Sequence, residues 1–335
     1  MKIIIDAMSG DNAPLAQVRG AVMAAKQYGQ EYILVGQEDV VRPLIEKEGG
    51  SGLPIRVRNA TEVVDMHDDP STVLRKKKDS SMAVAFQMVA KGEGDAMISA
   101  GNTGALLSGS TLIAKRIKGI RRAALPPMLP TATGQVMLID AGANAECTAE
   151  YLLQFAYMGS YYMSKVVGVT NPRIGLLNIG SEDTKGDALR LETYKLLKAA
   201  GDAGRINFVG NVEGDDLAKG ACDVAVTDGF TGNVALKVTE GVAKFLGAQI
   251  KQIFMKNVKS KLAYLLVKDG VAEFKKMFSA AAVGGAPFLG ISKAVLKAHG
   301  SSDEYAICSA VGQAIKYVES GIIKDITDNV EYMTL

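Results

Sequence analysis

The chain has 335 residues, of which 48% are hydrophobic, and a formal net charge of +2. That length suits one large α/β domain or two smaller ones. The near-neutral charge argues against non-specific nucleic-acid binding, and no apolar run reaches the roughly 20 residues needed to cross a bilayer.

Met1-Lys2-Ile3-Ile4-Ile5-Asp6 enters a strand directly, without a cleavable signal pattern. Cys147, Cys222 and Cys308 lie far apart and show no metal spacing, which points to free thiols in a reducing cytoplasm. No repeat array or low-complexity segment is visible.

In chain order, Lys2 to Ala7 reads as a strand. The turn from Ser9 to Pro14 follows, and Pro14 can open a helix running to about Tyr28. A strand over Tyr32 to Gly36, a helix around Val40 to Glu48 and a strand over Ile55 to Asn59 come next. Arg75-Lys76-Lys77-Lys78 then precedes a helix over Met82 to Ala90, with Ser80 or Ser81 as N-cap. Four cations there can hold a phosphate or an acidic partner, or form a solvated face; both readings stand.

Met97 to Ala100 is a short buried-strand pattern, Gly101-Asn102-Thr103-Gly104 a tight turn, and Ala105 onward a helix. Such a turn presents backbone N–H groups and the positive end of a helix dipole to an anion. A basic cluster, Lys115 to Arg122, and a proline-marked loop over Pro126 to Pro130 follow. Three more strand ends carry polar loops. Val136 to Asp140 leads to Asn144 and a helix over Thr148 to Ser164. Arg173 to Gly180 leads to Asn178 and Lys185, then a helix over Asp187 to Ala200. Val224 to Thr227 leads to a loop over Asp228 to Asn233 and a helix over Val234 to Leu246. Ile206 to Gly210 is a further strand, with Asn211 to Gly214 as its exit loop. Ligands of open α/β sheets bind beyond the carboxyl ends of the strands. Four such loops on one edge would make a single polar, anion-loving cleft.

Residues 240–282 read as helix without a strand, with Gly270 dividing two helices. Leu262, Leu265, Leu266, Phe274 and Phe278 form apolar stripes among lysines. A basic amphipathic arm of this kind can lie on an anionic membrane or pack a dimer. Near the C-terminus, Val295 begins a short apolar piece, and His299 lies in a polar glycine loop where Ser301 or Ser302 can cap a helix over Asp303 to Glu319. His299 is read either as structural or as a substrate-site residue.

Several site types are missing. There is no dinucleotide fingerprint, Walker loop, zinc spacing or Gly-x-Ser-x-Gly elbow. Cys147 has no histidine near it in sequence and reads as an incidental thiol. The loops are rich in donors and poor in nucleophiles, which suits direct transfer between two bound substrates. Nothing calls for a cofactor or metal.

Together, Ser99 to Ala105, Asp140 to Asn144, Pro172 to Gly180, Gly210 to Gly214, Thr227 to Asn233, Lys297 to Ser302 and Arg75 to Ser81 resemble the bacterial phosphate acyltransferase family of phospholipid synthesis, PlsX. The resemblance covers nearly the whole chain. It implies acyl transfer from acyl-acyl carrier protein to inorganic phosphate, giving an acyl phosphate that feeds glycerol-3-phosphate acylation. It also implies a three-layer α/β/α Rossmann-like fold resembling isocitrate and isopropylmalate dehydrogenases, formed by 1–335 as a single domain with the projecting arm within it. A homodimer, peripheral association with the inner face of the cell membrane and proximity to the glycerol-3-phosphate acyltransferase are implied as well. One departure is visible: Ser9-Gly10-Asp11-Asn12 stands where relatives often read Gly-Gly-Asp-His, so no histidine role carries over to Asn12.

On this reading Asn102, Lys185, Asn233 and His299 are the catalytic candidates. Ser99, Gly101, Thr103, Gly104, Asp140, Asn144, Asn178, Asp228 and Gly229 bind phosphate or substrate. Arg75, Lys76, Lys77, Lys78, Arg116, Arg121 and Arg122 dock the acidic carrier. Rival readings are a short-chain phosphate acetyl- or butyryltransferase using acyl-coenzyme A, a metal- and NAD-dependent decarboxylating dehydrogenase, and a membrane-docked carrier-binding scaffold.

Overall fold

The computed structural model describes residues 1–65, 67–283 and 285–334, with side chains at all of these except 273 and 275–283. In the first part of the chain, β1 (Lys2–Asp6), α1 (Leu15–Tyr28), β2 (Glu31–Gly36), α2 (Glu38–Lys47) and β3 (Ile55–Asn59) alternate. Next come α3 (Val73–Lys76), α4 (Ser81–Lys91), β4 (Ala96–Ser99) and α5 (Thr103–Gly109), the last continuing as a π-helical segment, Ser110–Lys115. The middle holds β5 (Met128–Thr131), β6 (Gly134–Ile139), α6 (Ala149–Tyr162), β7 (Arg173–Leu177), α7 (Ala188–Asp202), β8 (Asn207–Val212), α8 (Gly214–Lys219) and β9 (Val224–Val226). Two long helices, α9 (Gly229–Met255) and α10 (Val258–Val283), precede β10 (Ala286–Pro287), β11 (Ala294–Lys297), α11 (Glu304–Glu319) and α12 (Ile322–Asp328).

The strands form two sheets. One has the order β10-β11-β4-β1-β2-β3 and the other β5-β6-β9-β7-β8. Pairing is parallel apart from β10 with β11 and β5 with β6. Ile3, Ile4 and Ile5 of β1 are all fully buried, as expected for a parallel strand covered on both faces. One buried cluster runs through both sheets, taking in Ile3, Ile5 and Ile98 from the first and Met137, Ile139, Ile174 and Val226 from the second. The architecture is thus α/β, with mixed, mainly parallel sheets.

Several local expectations are corrected. The proline-marked loop contains β5, which pairs antiparallel with β6 through Met128–Met137. Asn211 and Val212 belong to β8, not to its exit. Residues 229–233 are not a loop but the first turn of α9, capped by Asp228. The α9–α10 break falls at 256–257, and Gly270 lies inside α10. The cap of α11 is Asp303, whose carboxylate accepts from Ala306 N at 2.9 Å. Each miss has one cause: a side-chain cap or a strand partner distant in sequence overrides local composition.

Candidate active site

The four polar loops do not share one sheet. The Asn102 loop follows β4 in the first sheet, whereas the loops bearing Asp140, Asn178 and Asp228 follow β6, β7 and β9 in the second.

At the first sheet's rim, Asp6 ends β1 fully buried. Its carboxylate accepts from Ser99 Oγ at 2.6 Å, and that hydroxyl accepts from Gly101 N at 3.1 Å. Burial drives the Asp6 pKa upward, against the lowering effect of the surrounding Ser81, Ser9 and Ser99 and the Met8 amide. A Cβ on Gly101 would stand 2.6 Å from Met82 Cε and 2.9 Å from Ser9 Cβ, so only glycine lets the loop pack this closely. Asn102 is buried and caps α5 through Ala105 N, at 3.0 Å. The amides of Gly101 and Ala105 are therefore engaged within the turn. Thr103 and Gly104 open the helix, where intrahelical bonding cannot use the N–H groups.

Strand β11 brings a second loop to the same place. Lys297 is in register with Ser99, and Ala298 N donates to the Ser99 carbonyl at 2.9 Å. Desolvation by burial, then Lys237, lowers the Lys297 pKa. His299 Nδ1 lies 3.2 Å from Ser301 N and 2.8 Å from Ser301 Oγ. Since Nδ1 accepts the Ser301 N–H, the neutral ring carries its proton on Nε2 and offers a donor. Burial, then Lys297, holds the His299 pKa below its usual 6.5, with Glu240 opposing and Lys237 and Lys244 adding. Helix α9 thus sets its own charges against the first sheet's rim. Asn12 donates to the carbonyls of Ser301 and Ser302 at 3.3 and 3.2 Å, tying the opening turn to the same loop.

The second rim is built differently. Asp140 is fully buried, and its oxygens accept from Leu125 N, Ala141 N, Asn144 N and Asn144 Nδ2 at 2.7 to 3.1 Å. Burial raises its pKa and these donors pull it back. Asp228 caps α9 through Thr231 N at 2.8 Å, accepts from Thr231 Oγ1, and pairs with Arg190. The Gly229 amide donates to the Asn144 carbonyl at 2.7 Å. Asp140, Asp228 and Gly229 therefore engage polar groups in holding the loops together. Asn178 likewise donates to the Lys185 carbonyl at 3.0 Å and accepts from Ile179 N. What remains directed outward is Asn233, exposed on the first turn of α9 and packed near Gly142, and Lys185, exposed and unpaired with any carboxylate among the described residues.

The packing around Asn233 depends on Gly232, where a Cβ would collide with the Asp140 carbonyl. Cys147 is pushed up to about 12 by burial and lies 3.6 Å from the Asn144 carbonyl, so it stays a thiol. Arg190 and Lys297 were not among the sequence candidates. Arg190 had a local signal, its spacing from Asp187 at the start of a helix, and Lys297 opens the Lys297 to Ser302 motif, but its place beside Ser99 is visible only in the strand pairing.

The docking candidates also divide. Arg75, Lys76 and Lys78 are exposed, while Lys77 is half-buried and engaged with Asp68 at 2.6 Å and the Val63 carbonyl. Arg121 pairs with Glu150 at 3.0 Å, Arg122 stacks 5.3 Å from the Tyr151 ring centre, and Arg116 donates to the Arg121 carbonyl. On the arm, Leu262, Leu265 and Leu266 are 60%, 61% and 89% exposed. Phe274 is half-buried, and the side chain of Phe278 lies outside the described residues. No described helix is long and apolar enough to cross a membrane.

Comparison with known proteins adds a second line. The family profile described as "Fatty acid synthesis protein" matches residues 1–325. A phosphate acyltransferase of Alkaliphilus oremlandii is 46% identical over 330 residues, covering 98% of this chain and 97% of that one. Among solved structures, a phosphotransacetylase from Streptococcus pyogenes aligns with a TM-score of 0.66 at 19% identity, over 95% of this chain and 94% of that one. A Salmonella typhimurium structure described as a 4-hydroxythreonine-4-phosphate dehydrogenase aligns with a TM-score of 0.52 at 13% identity, over 94% and 98%. The two structural likenesses concern the fold, which transferases and dehydrogenases share.

Proposed function

This chain belongs to the phosphate acyltransferase family, and from that premise we propose that it transfers a fatty acyl group from acyl-acyl carrier protein to inorganic phosphate. The products are acyl phosphate and free carrier protein. The observation that most supports the site is the registration of Lys297 with Ser99, which sets a half-buried cation beside a glycine turn.

Phosphate is held at the turn by the N–H groups of Thr103 and Gly104, with Ser99, Gly101 and Asn102 shaping the turn and Lys297 and Lys185 compensating the charge. At neutral pH it is largely ionised, so it needs positioning and partial desolvation more than a strong base. A phosphate oxygen forms a bond to the thioester carbon, and the carbonyl electrons move onto oxygen. The Asn233 amide and the His299 Nε2–H are the donors for that oxyanion. Collapse breaks the carbon–sulfur bond, and the thiolate leaves with the carrier.

The exposed Arg75, Lys76, Lys78 and Arg122 form the docking face for the acidic carrier. Both sheets work as one catalytic unit, with the arm for dimer and membrane contact. The arm's exposed leucines favour the inner face of the cell membrane as a transient resting place, where a downstream glycerol-3-phosphate acyltransferase would take up a hydrophobic product.

The test incubates the protein with acyl-acyl carrier protein and phosphate and traps acyl phosphate with hydroxylamine. A phosphate-dependent hydroxamate is expected, and acyl-coenzyme A should be the poorer donor. Asn102→Ala and Lys185→Ala should each lower the rate about 100-fold, the usual effect of removing one charge-stabilising donor. If both variants kept the wild-type rate, these residues would lose their place in the site.

A further inference from the structure

Two cavities lie beside the site and share a wall. The inner one, about 340 Å³, is lined by residues including Leu107, Thr111, Arg116, Arg122, Ala123 and Asn144. The outer one, about 390 Å³, is lined by Thr111, Lys115, Arg116, Lys118 and Arg121 among others. Thr111 and Arg116 belong to both. Each volume is within the low end of small-molecule pockets, about 300–1,000 Å³.

The inner end leads toward the proposed acyl site. Asn144 donates to the Ala123 carbonyl at 2.7 Å and to Asp140 at 3.1 Å. Its own carbonyl accepts from Gly229, and neighbouring Gly142 packs against Asn233. The cavity wall is therefore one loop away from Asn233. The outer end is cationic, whereas the inner end sets Leu107, Thr111, Ala123 and Ala143 beside Arg122 and the carboxylate of Glu146.

The shared wall has unusual backbone. Ser110–Lys115 is π-helical, and Lys115 takes φ 67° although it is not glycine. The Lys115 carbonyl accepts from Ser292 N at 2.8 Å, which holds that conformation. π turns and left-handed non-glycine residues are costly and concentrate at ligand sites.

We propose that the joined groove receives the 4′-phosphopantetheine arm of the acyl donor, with its phosphate at Arg116 and its thioester at the Asn144 end. The assignment rests on the transferase reading. The arm's anionic end suits the basic mouth, and its amide-bearing stem suits a lining in which Leu107 and Ala123 give apolar contact and Thr111, Arg122 and Glu146 can donate to or accept from the amides. Arg116 now donates to the Arg121 carbonyl. A phosphate oxygen is the stronger acceptor and would draw the guanidinium into the passage.

The test uses two carrier-free donors with the intact enzyme, acyl-pantetheine and acyl-4′-phosphopantetheine, in the hydroxamate assay. Wild type should favour the phosphorylated donor about tenfold in kcat/KM, the effect of one charge-assisted contact. Arg116→Ala should bring that ratio close to one. Thr111→Trp, which fills the passage, should raise KM about tenfold for both donors while the phosphate KM holds and the melting temperature stays near wild type. Equal use of the two donors by wild type, or an unchanged donor KM in Thr111→Trp, would overturn the groove and leave the transferase intact. A wild-type protein that makes no acyl phosphate from any donor, carrier-bound or free, would overturn the transferase reading and the groove with it.

Discussion

The two sheet rims place similar residues in different surroundings. The second rim holds two buried carboxylates, Asp140 and Asp228, whose oxygens are filled by backbone amides, Asn144, Thr231 and Arg190. The first rim also has a buried carboxylate, Asp6, but beside it lie a glycine turn, the half-buried Lys297, whose ammonium donates to the Ala298 carbonyl at 3.1 Å, and the exposed His299. A carboxylate surrounded by donors is a scaffold, and repels an anion. Cations and donors with hydrogen-bonding capacity left over, such as an ammonium that has used one of its three N–H groups, are what an anion can bind. The difference teaches that a polar residue in a loop is a ligand candidate only after its internal partners have been counted.

The comparison breaks most visibly at Asp140. Asp140→Ala would take an acceptor from three backbone amides and the Asn144 side chain, of which Ala141 N and Asn144 Nδ2 keep a second one in the Leu125 and Ala123 carbonyls. Each buried donor left unsatisfied costs about 1–3 kcal/mol, so a loss of about 4 kcal/mol in urea unfolding is expected. A variant of wild-type stability that had lost only phosphate affinity would make Asp140 a ligand after all.

Lys297→Ala tests the other rim. The rate of acyl phosphate formation should fall about 100-fold with a raised phosphate KM, because the cation beside the turn is lost. Urea unfolding should move far less than for Asp140→Ala. A large stability loss with normal kinetics would reverse the two roles.

His299 sharpens the comparison through pH. Its pKa is depressed below 6.5, so the neutral, Nε2–H form prevails at neutral pH. As pH falls through the lowered value, Nδ1 gains a proton and can no longer accept the Ser301 amide. The rate should fall on the acid side, and His299→Gln should be slower by about tenfold with that acid limb flattened. The unfolded chain, with its ordinary histidine, takes up the proton more readily, so this group's contribution to stability also declines as pH falls below 6.5. An unaltered pH–rate profile in His299→Gln would remove His299 from the reaction.

The smallest effect is expected on the arm, outside both rims. Leu266→Glu should weaken sedimentation with anionic liposomes by about tenfold, through one lost apolar contact and one added negative charge. Acyl transfer in solution should stay near wild type. Undiminished sedimentation would leave the exposed leucines to a second copy of the chain.

Much of the fold was legible locally. The buried run Ile3-Ile4-Ile5, the Ser80 cap and the glycine turn after Met97 to Ser99 all express themselves within a few residues, because burial pattern and capping are short-range. The start of α9 was missed because Asp228 turns a glycine-rich stretch into a helix by capping it. β5 was missed because only its pairing with β6 makes a strand of a proline-rich segment.

The sequence by itself determined the alternating α/β order, the supply of donor-rich loops and, through long motifs, the family. Only the tertiary structure decided which loops meet. It set β11 beside β4, so that Lys297 faces Ser99 from far along the chain, and it buried Asp140 and Asp228 among amides that no local pattern assigns to them. The physical reason is that strand order and desolvation belong to the packed chain, and these two fix whether a polar side chain is spent on the scaffold or left for a substrate.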